Sequence, residues 1–271
     1  IFGRPDQPQY PILPGREGHE MCGVVEEVGD GVTDFAPGQR VVTWRTMGPG
    51  RWGYYAQYAA ISAEDLLPVP GDLPDEAIAC LELAMCVSVS FLDMPDTSGL
   101  RFCVGGLGGA GLVAVQLAKA AGAAEVTGLD LLAERRALAM ELGADRCLDP
   151  TSEAGAALRE DRRGAHVDAS IECSGSKEAA GFQMDIAGKW IAFFGVLRER
   201  PERTQRHQGL AFQPYGTHRR EAAEYAMKRI RDRQLKLSPL VSQELALSRF
   251  TEGIEILRRK EAIKILYRPW D

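Results

Sequence analysis

The sequence has 271 residues, of which 45% are hydrophobic and 26% charged, with a formal net charge of −6. A chain of this length exceeds the usual size of one hydrophobic core, so we expect two domains. The composition is typical of an ordinary soluble globular protein and excludes a disordered chain. The negative charge argues against a general affinity for nucleic acid. Because no apolar run approaches the roughly 20 residues of a membrane span, no membrane partner is expected either.

Six cysteines are spread along the sequence, with no CxxC pair and no spacing that indicates a disulfide framework. Thiols that stay reduced are typical of the cytoplasm, so we predict a cytoplasmic location. Free cysteines are mostly small buried hydrophobic residues, and this interpretation applies to Cys103 and Cys147, which lie in strand-like runs.

Short apolar runs alternate with turn residues between positions 21 and 70, a pattern typical of a small β domain. The spacing then changes over residues 74–92, where helix-like apolar periodicity follows a proline and predicts a helix. The predicted strands of the first region are 23–32, 38–44, 53–61 and 65–70.

From Arg101 onward, strand-like and helix-like segments alternate along the chain. This alternation predicts βαβ units, and hence an α/β fold with a parallel sheet covered by helices. After Pro201 we predict two helices, within 219–233 and 247–259, and then a short strand in AIKILYRP, residues 262–269.

A glycine-rich loop, CVGGLGGAG, directly follows the first of these predicted strands and opens a helix. Its GxGxxG pattern consists of Gly106, Gly108 and Gly111. The first glycine permits a tight turn, the second lets the backbone approach a pyrophosphate, and the third lets the helix pack against the strand. The loop therefore predicts a dinucleotide at the N-terminus of the helix, where an anion is favoured.

An acid stands at the end of the next predicted strand, where a carboxylate is expected to accept the hydroxyls of the adenosine ribose. This acid is Asp130, and it predicts NAD rather than NADP because a carboxylate would repel a 2′-phosphate. Arg135 and Arg136 follow closely and could soften that preference. The alternative interpretation is a glycine-rich packing turn with Asp130 as a helix N-cap.

A histidine followed by an acid precedes a glycine-punctuated hydrophobic stretch in LPGREGHEMCGVVEEVG, residues 13–29. With this pattern the sequence resembles the zinc-containing alcohol dehydrogenases of the medium-chain dehydrogenase/reductase superfamily. The resemblance covers nearly the whole chain, including DFAPGQRVV, the glycine loop, LDLLAERRALAMELGAD and AIKILYRP. The motif itself, Gly-His-Glu-x-x-Gly-x5-Gly-x2-Val, is formed by Gly18, His19, Glu20, Gly23, Gly29 and Val32.

The resemblance implies one catalytic zinc. It assigns the histidine ligand to His19, and it makes the adjacent acid, Glu20, an alternate ligand or a group that orients the catalytic site. In the polyol and sugar dehydrogenase branch a further ligand is a glutamate in a Leu-Glu-Pro-Leu context, which corresponds here to Glu82 in Leu-Glu-Leu-Ala. Cys80 and Cys86 are neighbouring competitors for this role. The alternative to a ligand role for Glu82 is that it is a helix residue that faces solvent.

The resemblance also implies further contacts with the cofactor. The backbone amides of Gly109 and Ala110 are expected to face the pyrophosphate, and Lys264 matches a cationic position that binds it. The loop that contains Cys173 is expected beside the cofactor, and the carbonyl of Phe194 is expected to accept from the nicotinamide carboxamide. The remaining histidines, His166, His207 and His218, are interpreted as surface residues of loops and helix edges.

Two features depart from the family pattern. The first zinc ligand of the family, a cysteine, and the hydroxyl residue of its proton relay are expected upstream of Ile1, so the sequence resembles an N-terminally truncated member. The four-cysteine lobe that binds a structural zinc is absent from residues 43–59, so no structural zinc is expected. The family also implies a homo-oligomer, either a dimer or a tetramer.

These observations predict a GroES-like β domain, residues 1–88 and 240–271, and a Rossmann domain with a doubly wound parallel sheet, residues 89–239. The predicted function is a zinc-dependent oxidoreductase that transfers a hydride between a secondary alcohol (a polyol, sugar or amino alcohol) or its carbonyl product and NAD. Two alternatives remain open: a zinc-free NAD(P)H reductase of the same superfamily, and a non-catalytic nucleotide-binding protein of the same fold.

Overall fold

The computed structural model describes residues 18–45, 53–160 and 167–270. They fall into two compact units. One comprises residues 87–217 and 231–235, and we call it the nucleotide unit; the other comprises residues 18–86, 218–230 and 236–270, and we call it the β unit. The chain passes between the units after Cys86, and the segment 218–230 belongs to the β unit. The domain boundaries predicted from the sequence, after residues 88 and 239, stay predictions.

The described residues contain eleven strands and seven α-helices. The strands are β1 (Cys22–Val24), β2 (Arg40–Thr43), β3 (Leu66–Pro68), β4 (Arg101–Gly105), β5 (Glu125–Leu129), β6 (Arg146–Leu148), β7 (Val167–Glu172), β8 (Ala187–Phe193), β9 (Ala211–Pro214), β10 (Val241–Ala246) and β11 (Lys264–Arg268). The helices are α1 (Leu81–Asp93), α2 (Gly109–Ala120), α3 (Ala133–Glu141), α4 (Glu153–Glu160), α5 (Lys177–Ile186), α6 (Arg220–Arg231) and α7 (Phe250–Arg258).

The nucleotide unit contains a six-stranded sheet in the order β6-β5-β4-β7-β8-β9, with every neighbouring pair parallel. The predicted α/β fold is therefore confirmed. The strand order reverses between β4 and β7, and in open α/β sheets ligands bind beside this reversal at the carboxyl ends of the strands. The loops that begin at Gly106 and Cys173 both lie at this position.

Both faces of the parallel sheet are buried, which explains why its strands are almost continuously apolar. Phe102, Cys103 and Val104 in β4 are all at most 1% exposed. Cys103 packs with residues of four neighbouring elements, so its interpretation as a small core hydrophobe is confirmed. Those residues include Leu129, Leu158, Val167, Phe182 and Ile186.

The β unit contains a three-stranded antiparallel sheet, β1-β2-β3, and a parallel pair, β10 and β11. Three of the predicted strands are confirmed in shortened form, but the prediction of a strand over residues 53–61 is wrong. The backbone of this segment makes local bonds instead of a ladder: the amide of Tyr54 donates to the carbonyl of Gly18, and the amide of Ala56 donates to the carbonyl of Tyr54. The ring of Tyr55 packs on Phe250 and Tyr267.

The predicted helix at residues 74–92 is present as α1, but it begins later than the proline indicated. A short 3-10 turn at Asp75–Ala77 precedes it, and the α-helix starts at Leu81. The predicted helices near residues 219–233 and 247–259 and the closing strand are confirmed as α6, α7 and β11. None of the helices in the described part of the chain has the length and apolar content of a membrane span.

Candidate functional site

The carboxylate of Glu82 is buried in the first turn of α1, where it is only 4% exposed. Burial raises the pKa of Glu82 because the charged form loses its hydration, while the nearby His19 imidazole opposes the rise. The helix has apolar residues on most of its surface, so this acid stands out as the buried charge of α1. The solvent-facing alternative for Glu82 is therefore wrong.

Two groups face the two oxygens of this carboxylate. The Nε2 atom of His19 lies 3.5 Å from Oε2 of Glu82. The thiol of Cys86, one helical turn further along α1, donates to Oε1 of Glu82 over 3.4 Å. The sequence-predicted metal ligands His19 and Glu82 thus come together within the β unit.

His19 and Glu20 are presented by the short segment that leads into β1. Gly18 begins this segment with φ +82°, a conformation that side chains disfavour, and a Cβ there would lie 3.2 Å from the Tyr55 ring. The His19 side chain remains 60% exposed, whereas that of Glu20 is 19% exposed. One donor atom from each of His19, Glu20 and Glu82 lies within 4.8 Å of the others.

This group of donors fits a metal ion. The Oε2 atom of Glu20 is buried and has no hydrogen-bond partner among the described residues. A buried carboxylate oxygen in this state is costly unless a cation or a donor reaches it. One imidazole and two carboxylates are donors that zinc accepts, and the exposure of His19 leaves the position open to solvent.

The other oxygen of Glu20 forms an ion pair with Lys264 of β11. Burial would lower the pKa of Lys264, but the negative charge of Glu20 outweighs it and the pKa is raised. The structure therefore places Lys264 beside the candidate metal donors of the β unit. Its predicted contact with the cofactor pyrophosphate stays a prediction.

Cys80 is buried just before α1, and its competing role as a ligand stays a prediction. Burial and the nearby Glu20 charge raise the pKa of the Cys80 thiol to about 12. Among the described residues, neither group of candidate metal donors includes Cys80.

A second group of donors surrounds the same Glu82. The Nε2 atom of His218 lies 3.4 Å from Sγ of Cys86, and donor atoms of Glu82, Cys86 and His218 all lie within 4.8 Å of one another. His218 lies in the loop before α6, as predicted, but it is half-buried against Cys86, so its interpretation as a surface residue is only partly confirmed. The sequence offered one signal for this group: Glu82 and Cys86 are four residues apart and share one face of a helix.

The surface interpretation also fails for His207, which is 4% exposed and lies 3.0 Å from the carboxylate of Asp185. Its ring also accepts a hydrogen bond from the amide of Thr204, which closes a capping box. These contacts identify a structural histidine. His166 lies outside the described residues.

The glycine loop of the nucleotide unit has the local geometry that its sequence predicts. Gly106 has φ +82°, and a Cβ on it would lie 2.8 Å from the backbone nitrogen of Ser174. A Cβ on Gly111 would lie 1.8 Å from the carbonyl oxygen of Gly106, so only glycine fits there. Gly108 instead faces open space, where the nearest atom to an added Cβ is an Arg135 nitrogen at 3.9 Å.

The start of α2 can accept an anion. Gly108 is its N-cap residue and provides no side chain to cap the helix. The first-turn amides, which include those of Gly109 and Ala110, have no acceptor within the helix and attract negative charge. The loop therefore fits the pyrophosphate of a dinucleotide, although the individual contacts of these residues stay predictions.

Asp130 lies directly after β5 and is tied to the same loop. Its carboxylate accepts from the amide of Leu107 at 2.7 Å and from the amide of Leu132 at 2.9 Å. The guanidinium of Arg135 lies 3.8 Å from it. Asp130 thus bridges the glycine loop and the start of α3, which holds the carboxylate where a ribose is expected.

Cys173 and Phe194 follow β7 and β8 at the carboxyl edge of the sheet. The amide of Cys173 donates to the carbonyl of Gly105, which ties this loop to the glycine loop. The Phe194 ring packs edge-to-face on Tyr215, with centroids 5.6 Å apart. Their cofactor contacts stay predictions.

No motif in the sequence indicates a role for Glu172, which lies just before Cys173. It is fully buried, burial raises its pKa, and it accepts from the amides of Ser174 and Gly175. These bonds hold the turn beside Gly106 in shape.

Together, the fold and the two groups around Glu82 define an α/β protein with a dinucleotide loop in one unit and a candidate metal centre in the other. Comparison with known families agrees. A family described as "Alcohol dehydrogenase GroES-like domain" matches residues 3–71, and one described as "Zinc-binding dehydrogenase" matches residues 109–199. The chain belongs to the zinc-type alcohol dehydrogenase family of the medium-chain dehydrogenase/reductase superfamily. Its two parts are accordingly GroES-like and Rossmann-like.

Individual relatives span nearly the whole chain. An L-threonine 3-dehydrogenase from an Anaeromyxobacter strain is 28% identical over 92% of this chain and 80% of its own. A sorbitol dehydrogenase from Halalkalibacterium halodurans is 26% identical over 97% of this chain and 86% of its own. Among solved structures, the 2R,3R-butanediol dehydrogenase from Bacillus subtilis is 24% identical with a TM-score of 0.83, over 93% of this chain and 80% of that one. Another solved structure is a protein from Sinorhizobium meliloti that is described as a zinc-binding dehydrogenase and was solved with NADP. It has a TM-score of 0.85 at 24% identity and covers 96% of this chain and 85% of its own.

Proposed function

We propose that this protein is a zinc- and NAD-dependent dehydrogenase that transfers a hydride between a secondary alcohol and NAD. The observation that carries the proposal is the separation of 3.5 Å between Nε2 of the exposed His19 and Oε2 of the buried Glu82, with Glu20 in the same group. A buried carboxylate beside an imidazole and a second acid is a donor set suited to a divalent cation. A zinc-free reductase would leave these acids buried without such a partner.

The residues of the β unit divide the work at this centre. His19, Glu20 and Glu82 would hold zinc. When zinc is bound, it supplies a Lewis acid for the substrate oxygen. His19 presents its imidazole at the solvent-accessible side, and Glu82 contributes a negative charge from inside α1. Lys264 neutralises one oxygen of Glu20 and thereby limits the negative charge at the centre.

The residues of the nucleotide unit bind the cofactor. Gly108 leaves room for the pyrophosphate, and the amides of Gly109 and Ala110 donate to it. Bound NAD supplies the hydride acceptor. In the oxidation, the hydride leaves the carbinol carbon for NAD, the hydroxyl proton passes to solvent, and the alcohol becomes a ketone.

The preference for NAD over NADP rests on Asp130. Its carboxylate is fixed by the amides of Leu107 and Leu132 and would repel a 2′-phosphate. Arg135 lies 3.8 Å from this carboxylate and reduces, without cancelling, that repulsion. Cys173 and Phe194 complete the proposed cofactor contacts.

The substrate class in this proposal is a polyol, sugar or amino alcohol. Relatives named for threonine and sorbitol support it, as does the second acid in the donor group. The six free cysteines support a reducing, cytoplasmic location. The dimer or tetramer implied by the family stays a prediction.

Two measurements test the proposal. Metal analysis of the purified protein is expected to find zinc at one or more equivalents per chain. A panel of polyols and amino alcohols is expected to reduce NAD at a rate that chelator treatment abolishes and added zinc restores. A metal-free protein that oxidises the panel equally well, or a zinc-loaded protein with no NAD-dependent turnover on any of these alcohols, would contradict it.

A further inference from the structure

The donors on the far side of Glu82 from His19 have a geometry of their own. Oε2 of Glu82 faces His19, whereas Oε1 faces Sγ of Cys86 at 3.4 Å. That sulfur lies 3.4 Å from Nε2 of His218. A carboxylate, a thiol and an imidazole thus form a second group that shares only Glu82 with the first.

The two separations from Sγ of Cys86 match those between ligands of one zinc ion. Zinc bonds of about 2.3 Å to sulfur and about 2.0 Å to nitrogen, at tetrahedral angles, put the two ligand atoms about 3.5 Å apart. The observed separation between Cys86 and His218 is 3.4 Å, and that between Cys86 and Glu82 is also 3.4 Å. Two of the three separations therefore fit ligands of one zinc ion, and the third, between Glu82 and His218, is within 4.8 Å.

The fold holds these three donors in place before any ion arrives. Glu82 and Cys86 are 4% and 8% exposed, respectively, and lie one turn apart on α1, so their side chains point to the same face. His218 comes from the segment just before α6 and is half-buried. All three belong to the β unit, so the group does not depend on the arrangement of the two units.

The chemistry of the two groups differs. The first offers one imidazole and two carboxylates, and one of those carboxylates is engaged by Lys264. The second offers sulfur, nitrogen and oxygen, and thiolate and imidazole are the donors that hold zinc most firmly in proteins. The thiol of Cys86 carries one hydrogen but faces two groups, the carboxylate of Glu82 and the imidazole of His218. A cation that replaced this hydrogen would contact both groups.

We propose that Glu82, Cys86 and His218 form a second zinc position, adjacent to the His19–Glu20 position and sharing Glu82 with it. The proposal rests on the proposed function only for the identity of the metal. The second position holds zinc through Sγ of Cys86 and Nε2 of His218, and the open position at His19 and Glu20 serves the substrate. Metal retention and turnover are therefore divided between different residues of one centre.

Cobalt substitution tests this division. The metal-depleted protein is loaded with Co²⁺, and the near-ultraviolet absorption that marks a thiolate bound to cobalt is recorded. The wild-type protein is expected to show this band. Cys86→Ser is expected to lose it, whereas Cys103→Ser, which alters a buried cysteine in β4 of the nucleotide unit, is expected to keep it.

His218→Gln provides a second variant that leaves the thiol in place. Its zinc affinity, measured by competition with a chromogenic chelator, is expected to fall on the order of tenfold or more, the loss that even indirect partners of a metal cause. If circular dichroism shows that Cys86→Ser does not fold, the proposal is tested by two other measurements. These are the zinc affinity of His218→Gln and the cobalt–thiolate band of the wild-type protein.

Failure of this inference is distinguishable from failure of the proposed function. His19→Ala is expected to keep the cobalt band and lose NAD-dependent turnover. No thiolate band in the wild-type protein, or an unchanged zinc affinity in His218→Gln, would show that Cys86 and His218 form only a hydrogen-bonded chain. Either result would leave the function of His19 and Glu82 untouched.

Discussion

The imidazole of His19 and the carboxylate of Glu82 approach to 3.5 Å, although one precedes β1 and the other begins α1. The first is exposed and the second is 4% exposed, so a solvent-accessible donor faces a buried charge. This pairing is the centre of the proposed chemistry, and the first two predictions concern its residues.

Replacement of His19 by alanine is expected to lower kcat/KM with an alcohol substrate by roughly 100-fold or more, since even indirect partners of a metal cost 10- to 100-fold. Binding of NAD is expected to change little, because the glycine loop lies in the other unit. Steady-state kinetics and calorimetric titration with NAD measure the two effects. Glu82→Gln is expected to behave in the same way, with the exposed Glu26→Gln as its matched control. Full turnover in His19→Ala would remove the metal role from this residue.

Replacement of Lys264 by methionine leaves the carboxylate of Glu20 partly buried without its cation. Breaking one partner of a fully buried ion pair costs about 3–5 kcal/mol, and the partial exposure of this pair reduces the expected loss to about 2 kcal/mol. Urea unfolding of the zinc-free protein measures it. Lys264→Arg keeps the charge and is expected to retain most of the stability. A loss of NAD affinity with unchanged stability would instead support the pyrophosphate role of Lys264.

The two glycines of the nucleotide loop are expected to respond differently to alanine. Gly111→Ala places a Cβ 1.8 Å from the Gly106 carbonyl, so we expect a loss of about 3 kcal/mol in the free energy of unfolding. Gly108→Ala meets only open space, so stability is expected to change by less than about 1 kcal/mol. NAD binding is nevertheless expected to weaken in Gly108→Ala, because the new methyl group occupies the pyrophosphate space. Equal stability losses in the two variants, measured by urea unfolding, would contradict this assignment.

Asp130→Ala is expected to weaken NAD binding by roughly tenfold or more, since a hydrogen bond to a charged group contributes about 1.5–3 kcal/mol. Binding of NADP is expected to weaken less, because the repulsion of its 2′-phosphate disappears as well. Arg135→Ala provides the opposite change and is expected to reduce the use of NADP relative to NAD. The ratio of kcat/KM values for the two cofactors is the measurement. An unchanged ratio in Asp130→Ala would exclude this residue from cofactor selection.

Asp168 predicts a pH dependence of stability. Partial burial would raise its pKa, but hydrogen bonds from Arg101 and Lys189 outweigh burial and lower the pKa from 3.8 to about 2. A carboxyl with a lowered folded-state pKa stabilises the protein above its ordinary pKa, and this contribution is lost as the pH falls from about 4 to about 2. Asp168→Asn is expected to cost about 1 kcal/mol at pH 7, after allowance for solvent screening. The difference from wild type in urea unfolding is expected to shrink below pH 4, and a constant difference would contradict the assignment.

The sequence by itself determined the nucleotide loop and the order of most elements. Glycine spacing and the alternation of strand and helix patterns are local, so the roles of Gly106, Gly108 and Gly111 could be predicted from the sequence alone. An added Cβ on Gly106 or Gly111 would overlap neighbouring atoms, as their predicted turn and packing roles require, and their part in cofactor binding stays a prediction. The strand predicted at 53–61 failed because a strand needs a neighbouring ladder, which its own residues do not specify.

The tertiary structure alone decided which polar side chains meet. The family motif pointed to His19 and Glu82 separately, but their separation of 3.5 Å depends on how the segment before β1 packs on α1. The contact between Cys86 and His218 joins residues 132 positions apart, and no spacing rule reaches that far. Local periodicity fixes which residues of one helix or strand share a face, whereas contacts between distant segments are set by packing of the whole core, and a metal centre is built from such contacts.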